Sequence, residues 1–258
     1  MKKVIYIAMA VLFLLPSCSD FLNEEDPNKI PVDTYFQSTN DVEKALNGAY
    51  LSLRSGYCMG ESSTMFTEER SDNTGRLDNQ SAAGEPFQFT NFSILPSNTY
   101  LKSYWTGLFR TVNDCNFTIK GANEINMDET TRSNYLAQAK FIRALAYFDI
   151  VRKWGDAPLV TDYSSSKTDI TAKTYRVSKD QVYAQIVKDL EEALMEVDAF
   201  IDHALMHNLN MLTIIHGKGT GILRNGIQQH LRRHKAVKSF RLGVYGEGES
   251  GVTIVELK

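Results

Sequence analysis

The fold of the first three quarters of this chain is decided by the stretch Gln138-Ala-Lys-Phe-Ile-Arg-Ala-Leu-Ala-Tyr-Phe-Asp-Ile-Val-Arg-Lys-Trp-Gly-Asp-Ala-Pro158. Its apolar residues repeat at helical spacing and cover most of the helix circumference. One face carries Leu136, Ala139, Ile142, Ala146 and Ile150, and Phe141, Ala144, Leu145, Phe148 and Val151 lie around it. A helix that is apolar nearly all round is buried, so we predict a central helix here. Gly155 is expected to end it in a left-handed cap, and Pro158, which cannot continue a helix, follows three residues later.

Charge is unevenly distributed along the 258 residues, which otherwise have an ordinary globular composition of 43% hydrophobic and 23% charged residues. The net charge is −3, yet residues 201–258 carry eight Lys and Arg against four Asp and Glu. All five histidines lie in that tail, whereas all three cysteines and both tryptophans precede it. Two composition regimes in one chain indicate two parts of different origin.

The N-terminus has the layout of a signal peptide. Lys2-Lys3 precede the apolar run Val4–Leu15, and small residues precede Cys18. This layout predicts a cleaved export signal over residues 1–17, and the alternative is a buried N-terminal strand. The apolar run is too short to span a bilayer as a permanent helix.

Three further helices are predicted from apolar spacing and from capping residues. The first covers residues 42–53 and begins at Asn40 or Asp41, the second covers 105–119 and ends before Gly121, and the third runs unbroken over 178–208 from a capping box of Ser178 and Gln181. Residues 60–103 lack helical spacing, so long loops are predicted there, with Phe87 and Phe89 alternating in a short strand.

Several of these segments resemble the SusD/RagB-type outer-membrane lipoproteins, which bind glycans or other nutrients beside a TonB-dependent transporter. The resemblance covers roughly residues 1–194. It rests on Phe141–Phe148, Trp154–Pro158, Tyr35–Thr39, Leu46–Tyr50 and Tyr175–Ser178. It implies paired tetratricopeptide-like helices, a lipid anchor on Cys18 in the outer membrane, and a SusC-like TonB-dependent transporter with a glycan as partners.

The resemblance also places part of the ligand site in the loops. Asp72, Asn73 and Arg76 offer donors and acceptors to sugar hydroxyls, and Trp105 offers a ring for stacking. The alternative is a solvated loop beside a core tryptophan. Cys58 and Cys115 are open to two interpretations as well, either buried thiols or, after export, a disulfide.

The tail contains a strand, a glycine-rich loop and a helix in the stretch Leu212-Thr-Ile-Ile-His-Gly-Lys-Gly-Thr-Gly-Ile-Leu-Arg224. Such a loop presents backbone N–H groups to a phosphate at a helix N-terminus, and its lysine adds charge. Taken alone, a tight turn with solvated lysines explains the pattern as well. The glycine spacing fits neither the Rossmann nor the Walker A pattern, so no cofactor is predicted.

This tail is similar to the Smr domain, a small MutS-related nucleic-acid module, and in particular to that of the second type of bacterial MutS protein. The resemblance implies DNA or RNA as a partner and His216 as a catalytic acid/base of an endonuclease. The residues implied in nucleic-acid binding are His216, Gly217, Lys218, Gly219, Gly221 and Arg224. Arg232, Arg233, Lys235, Lys238 and Arg241 would extend a basic face.

Two features limit a catalytic interpretation of the tail. Smr domains open with a strand motif whose nearest counterpart, Lys188-Asp189-Leu190-Glu191, lies here inside the predicted helix, so the strand is expected to be missing. The strand containing Ile214 is then expected to have an open edge, and nuclease activity stays open. His203 and His207 have a metal-compatible spacing but no third ligand, so a surface pair is preferred and no metal is predicted.

The sequence thus predicts a mainly α protein with a partial, SusD-like helical part and a small α/β, Smr-like unit without its first strand. The expected domains are the signal peptide 1–17, a truncated SusD-like domain 18–191, and a partial Smr-like domain 192–258. The preferred function is glycan or nutrient binding and uptake at the outer membrane. The alternative is a cytoplasmic nucleic-acid-binding domain or endonuclease. We expect two unrelated coding sequences to have been joined inside one helix, each part having lost its full activity.

Overall fold

The structure, a computed structural model, describes residues 32–74, 84–166, 174–215 and 222–258. Residue contacts divide the chain into a unit of residues 1–37 and a unit of residues 38–258. The helices are α1 (Val32–Tyr35), α2 (Thr39–Leu53), α3 (Glu61–Thr67), α4 (Phe87–Thr90), α5 (Thr99–Glu124), α6 (Glu129–Trp154), α7 (Lys179–Met206) and α8 (Ile222–Arg233). The strands are β1 (Ala157–Pro158), β2 (Arg176–Val177), β3 (Met211–Ile215), β4 (Val237–Leu242) and β5 (Val252–Leu257), and a 3₁₀ turn covers Glu249–Gly251.

The predicted central helix is confirmed as α6, which packs against α2, α5 and α7. It begins upstream of the stretch quoted above, where the Asp128 carboxylate accepts from the Thr131 N–H at 2.8 Å. Gly155 follows its last residue with φ 71° and ψ −121°. The positive φ explains the glycine, but the ψ lies outside the left-handed helical region, so the predicted left-handed cap is wrong.

Two predicted helix ends are also wrong. α2 begins at Thr39 after the cap residue Ser38, ahead of the predicted start at Asn40 or Asp41. The Ser38 N–H and hydroxyl both donate to the Asp41 carboxylate, at 3.0 and 2.8 Å, and hold the first turn. In α5, Gly121 is buried inside the helix instead of lying beyond it. Asn98 begins α5, since its side chain accepts from the N–H groups of the first turn.

The expectation of long loops over residues 60–103 is wrong in part, and the expected short strand at Phe87 and Phe89 is wrong. Two short helices, α3 and α4, lie there, and Phe87 and Phe89 share one helical turn. Phe89 is fully buried because its ring meets Phe66 at 5.0 Å and Tyr100 at 6.2 Å between centroids. The two phenylalanines are therefore buried by contacts with residues distant in sequence and not by alternation along a strand.

The helical part encloses a core formed mainly by α5, α6 and the start of α7. Its largest members are Tyr104, Leu108, Tyr147, Ile150 and Val182. Cys58 lies in this core and Cys115 in a neighbouring cluster under α2, and both are buried, free thiols, so no disulfide joins them. Burial raises the pKa of both thiols.

The prediction of one unbroken helix after Ser178 is confirmed by α7. Ser178 and Gln181 form the expected capping box. The apolar stripe begins with Val182 and Ile186 in the helical core and continues through Val197 and Ile201 in a second core. Between them Leu194 is 36% exposed, so the two cores use different turns of α7.

The C-terminal part is a three-stranded sheet covered on one face by the end of α7 and by α8. The strand order is β3-β5-β4, and β5 runs antiparallel to both neighbours. The second core is formed by Ile201, Ala204, Leu212, Ile227, Leu231, Val237, Val255 and Leu257. This small α/β unit and the helical part confirm the predicted fold class.

The strand predicted before the glycine-rich loop is present as β3, and it is half exposed. Leu212 is buried, whereas Met211 and Ile215 are 62% and 78% exposed. Over the continuously described residues 187–215, no strand precedes β3, and its partner in the described sheet is β5. None of the described helices contains an apolar stretch that could span a bilayer.

Candidate functional site

A surface pocket of about 850 Å³ lies where the end of α3, the end of α6 and the start of α7 meet. We call it the basic pocket, because four of its lining side chains are positively charged and one is negatively charged. It is lined by Phe66, Thr67, Arg70, Val151, Arg152, Lys153, Lys179, Asp180 and Tyr183. Three separate chain segments therefore build it.

Short local structures position the α6 and α7 walls of the basic pocket. β1 and β2 pair antiparallel, which returns the chain after α6 to the start of α7. The Lys179 N–H then donates to the Asp156 carboxylate at 2.9 Å. The first turn of α7 is thereby held close to the last turn of α6.

A buried carboxylate, Asp149, lies one turn below the α6 wall of the pocket and is 3% exposed. It accepts from the Tyr104 hydroxyl at 2.6 Å, from the Lys153 ammonium at 2.8 Å and from the Arg152 guanidinium. Burial alone would raise the pKa of Asp149, but these donors lower it overall. Asp149 therefore fixes two of the four basic side chains.

An aromatic cluster backs the same wall. The Phe66 ring lies 5.0 Å from Tyr104 and 5.7 Å from Trp154, and Trp105 meets Trp154 edge-on at 5.2 Å. Trp105 is half-buried and packs against the helical core. Its aromatic neighbours stabilise the shape of the wall.

None of the sequence-predicted ligand residues that the structure describes lines this pocket, since Trp105 lies in the aromatic cluster behind its wall. Asp72 and Asn73 are exposed and lie outside its lining, and Arg76 falls outside the described residues. From the same loop, Arg70 lines the pocket, its guanidinium 5.1 Å from the Phe92 ring. Sequence reasoning missed Lys179 and Tyr183, although the capping box at Ser178 already placed both at a helix start.

A second polar network ties α6 to α7 in the helical interior. Arg143 donates to both oxygens of Asp189, at 2.8 and 2.7 Å, and to the Asn116 side chain at 2.7 Å. Gln185 donates to Asp189 at 2.8 Å. Burial alone would lower the pKa of Arg143, but the bonds to Asp189 raise it overall. Asp189 belongs to the nearest counterpart of the Smr opening motif in the sequence, yet in the structure it stabilises the helical core.

The glycine-rich loop of the tail, with His216, Gly217, Lys218, Gly219 and Gly221, lies outside the described residues. Arg224 is half-buried on α8. The other basic residues of the tail, Arg232, Arg233, Lys235, Lys238 and Arg241, are exposed.

Two of those exposed basic residues form ion pairs within the unit. Lys238 lies 2.5 Å from the Glu256 carboxylate, and Arg241 lies 2.7 Å from that of Glu247. Arg241 lowers the pKa of Glu247 to about 2. The expected basic face is therefore partly neutralised at its strand end.

The tail histidines pair with groups of their own unit. Asp198 of α7 lies 2.5 Å from His230 of α8 and 3.5 Å from His234, which follows the last residue of α8. The rings of His203 and His207 stack with centroids 4.1 Å apart. Within the described ranges, no three His, Cys, Asp or Glu side chains form a group suited to a metal ion.

Comparison with known families divides the chain into two overlapping matches. The profile of a SusD-like family described as "Starch-binding associating with outer membrane" matches residues 20–206. The profile of the Smr domain matches residues 187–258.

Individual relatives repeat this division. The chain is 29% identical over 193 residues to SusD-like protein P2 of Formosa agariphila, which covers 75% of this chain and 38% of that protein. It is 61% identical over 70 residues to endonuclease MutS2 of Acetivibrio thermocellus, which covers 27% of this chain and 9% of that protein. The chain thus spans well under half of either relative.

A solved structure of a SusD superfamily protein from Bacteroides vulgatus superposes on 62% of this chain and 35% of that one, with 20% identity and a TM-score of 0.53. At this identity the match supports the fold alone. Both the helical fold and the small C-terminal unit thus have counterparts among known proteins.

Proposed function

Because the chain belongs, through residues 20–206, to the SusD-like family described as starch-binding and outer-membrane-associated, we propose that it binds a glycan at the outer membrane. The family match over most of the chain is the observation that carries this proposal. The finer steps are a lipid anchor on Cys18 and transfer of the glycan to a TonB-dependent, SusC-like transporter. Asp72, Asn73, Arg76 and Trp105 remain candidate ligand residues.

The basic pocket supports glycan binding by its size and lining. Its volume of about 850 Å³ lies in the range of small-molecule sites, about 300–1,000 Å³. Phe66 and Tyr183 provide apolar ring faces, and Arg70, Arg152 and Lys179 provide hydrogen-bond donors. A saccharide needs both, because each sugar ring has an apolar face and a rim of hydroxyls.

Glycan binding is tested by calorimetric titration of the full chain with oligosaccharides. Tyr183→Ala removes a pocket ring that is 38% exposed, and we expect about a tenfold loss of affinity. Tyr175→Ala is the matched control, because Tyr175 is 73% exposed and lies outside the pocket lining. Equal effects of the two changes, or no binding of any oligosaccharide, would contradict the proposal.

The proposed anchor is tested separately in cells. We expect globomycin to block processing, and Cys18→Ala to abolish lipid labelling and surface exposure, while glycan affinity of the purified chain stays unchanged. Unaltered labelling of the variant would exclude Cys18 as the lipidated residue.

A second candidate function is nucleic-acid binding by residues 187–258, favoured by the 61% identity to a MutS2 endonuclease. We propose that the loop with His216, Lys218 and its glycines contacts phosphates together with Arg224. Lys218→Ala is expected to weaken DNA or RNA binding and to lower the salt slope by about 0.7–0.9. Fluorescence anisotropy over a salt series measures this, and an unchanged slope would contradict it. Nuclease activity lost on His216→Ala would assign that residue a catalytic role.

These two functions belong to different compartments, and we propose that two coding sequences of separate origin were joined within α7. The overlap of the two family matches at residues 187–206 supports a junction there. Individual DNA reads that cross codons 185–200 without interruption are expected if the joined gene exists in the cell. Reads that end within these codons would show an assembly error instead.

A further inference from the structure

The charge of the basic pocket exceeds what a neutral ligand needs. Arg70, Arg152, Lys153 and Lys179 line it, and Asp180 is the acidic residue of its lining. These four side chains come from three chain segments, so their convergence is a property of the fold. No helix spacing or single motif in the sequence brings them together.

Part of this charge is balanced from inside the protein. The carboxylate of Asp149 binds both Lys153 and Arg152 and is itself buried, so it compensates one positive charge. Asp180 compensates a second. The Asp156 carboxylate, which accepts from the Lys179 N–H, compensates a third. One positive charge remains in excess, and the basic residues on the solvent side, Arg70 and Lys179, are both exposed.

The start of α7 adds to this field. Lys179 and Asp180 occupy the first turn of a helix of 28 residues, whose N-terminus carries partial positive charge. The Asp156 carboxylate at the Lys179 N–H offsets part of this charge. This effect falls off beyond the first turn, so it acts on a ligand in the pocket and hardly on one elsewhere. It supports the side-chain charges and would not be sufficient without them.

The pocket walls are apolar where the charges are absent. Phe66 and Val151 lie on two different helices of the lining, and Tyr183 presents a partly exposed ring. A bare inorganic anion would leave these surfaces in contact with water, whereas a sugar ring can cover them.

We infer that the basic pocket takes an acidic saccharide, one whose ring carries a carboxylate or a sulfate ester. The inference rests on the proposed glycan-binding function and specifies its ligand class. The acidic group pairs with Arg70 and Lys179 at the solvent side, and the ring packs beside Phe66 and Tyr183. Arginine is well suited to this because its planar group donates two parallel hydrogen bonds to a carboxylate or sulfate.

The test compares saccharides of equal length by calorimetric titration of the full chain. Trigalacturonate carries carboxylates, sulfated maltotriose carries sulfate esters, and maltotriose is neutral. We expect at least one acidic trisaccharide to bind about tenfold more tightly than maltotriose at 50 mM salt. The advantage is expected to shrink at 500 mM salt, since ions screen exposed charges. The better of the two acidic probes identifies the acidic group.

Variants then assign this binding to the pocket. Arg70→Ala with Lys179→Ala removes two exposed charges without touching the Asp149 network, and we expect the tenfold advantage to disappear. Asp180→Asn removes the opposing charge and is expected to strengthen acidic binding about twofold. Lys102→Ala with Arg110→Ala removes two exposed charges outside the pocket lining and is the matched control that is expected to change nothing. Arg232→Ala with Arg233→Ala, a pair of equal charge on α8, tests the tail as an alternative site.

Three results would overturn the inference. Maltotriose binding as tightly as both acidic probes would leave glycan binding intact and exclude the acidic specificity. Acidic binding lost in the α8 pair and retained in the pocket pair would move the site to the tail. Failure of all three trisaccharides, together with failure of larger glycans, would remove the proposed function and this inference with it.

Discussion

Arg143 and Asp189 form an ion pair whose side chains are 6% and 1% exposed. Removing two charges from water costs several kcal/mol per ion, and this cost is offset only when the remaining donors and acceptors are bonded. Here Asn116 and Gln185 complete the set. The bidentate geometry allows one register of α7 against α6, so the pair selects an arrangement as much as it stabilises one.

Removing one partner of this ion pair should destabilise the protein more than replacing both partners with apolar residues. We expect Arg143→Met alone to lower the free energy of unfolding by about 3–5 kcal/mol, because it leaves the buried Asp189 carboxylate uncompensated. Arg143→Met with Asp189→Leu should lower it by less than Arg143→Met alone. Urea denaturation followed by circular dichroism measures both, and additive losses would contradict the argument.

Asp149 gives the stability of the helical part a predictable pH dependence. Its folded pKa is lowered, so its stabilising contribution is present above its ordinary pKa of about 3.9 and is lost as pH falls through the folded value. We therefore expect Asp149→Asn to be destabilising at pH 7 and its deficit to shrink below about pH 4. Denaturation curves between pH 7 and pH 3 measure this, with Asp180→Asn as the control for loss of one negative charge. A deficit that is constant with pH would contradict it.

At the level of whole elements, the fold depends on how closely helix α5 passes the segment before α3. A Cβ added at Gly107 would lie 2.1 Å from the backbone oxygen of Tyr57, which is too close for any side chain. Backbone cannot yield as a flexible side chain can. The glycine is therefore required by packing and not by its backbone angles.

For this reason, two glycine-to-alanine substitutions in helices should change the free energy of unfolding in opposite directions. Gly107→Ala is expected to destabilise the protein by about 1–3 kcal/mol through overpacking. Gly48→Ala in α2 meets nothing within 4 Å and should stabilise by up to about 1 kcal/mol through helix propensity. Thermal unfolding of the two variants decides the matter, and a stable Gly107→Ala protein would show that α5 lies farther from Tyr57.

Helix α7 is the element common to both parts of the molecule. Lys140 of α6 pairs with Glu192 at 2.7 Å, and six residues later Asp198 pairs with His230 of α8. The expected domain boundary between residues 191 and 192 thus remains a proposal, since the first residue beyond it still binds the helical part. Along α7, the contact with the helical part and the contact with the C-terminal part therefore lie within about two helical turns of each other.

For the whole molecule, two cores joined by one helix predict two partly independent unfolding transitions. Ile150 and Ile201 are both fully buried, one in each core, and their replacement by Ala should cost about 2–5 kcal/mol locally. Both tryptophans pack in or against the helical core. Ile150→Ala should therefore shift the tryptophan fluorescence midpoint, and Ile201→Ala should shift only part of the circular dichroism transition.

The opposite outcome would be equally clear. If Ile201→Ala lowered the fluorescence midpoint as much as Ile150→Ala, the two cores would unfold as one cooperative unit. The idea of two parts that merely share α7 would then be wrong.

The sequence by itself determined the helices whose apolar stripes and caps are local, such as α6 and the unbroken α7 with its Ser178 cap. It also determined the division into a SusD-like part and an Smr-like part, because each part contains sequence motifs that resemble its family. Helix starts such as Ser38, and the short helices holding Phe87 and Phe89, were missed because contacts with distant residues outweigh weak local preferences.

Only the tertiary structure decided which polar residues meet. Asp72 and Arg70 are neighbours in one loop, yet of the two only Arg70 lines the basic pocket, beside α6 and α7 residues more than eighty positions away. The pairing of Asp189 with Arg143 was equally hidden in a stretch that resembled another motif. The periodicity of a sequence describes one helix or strand at a time. A pocket and a buried ion pair depend instead on how separate elements pack, and that packing is determined by all of their contacts together.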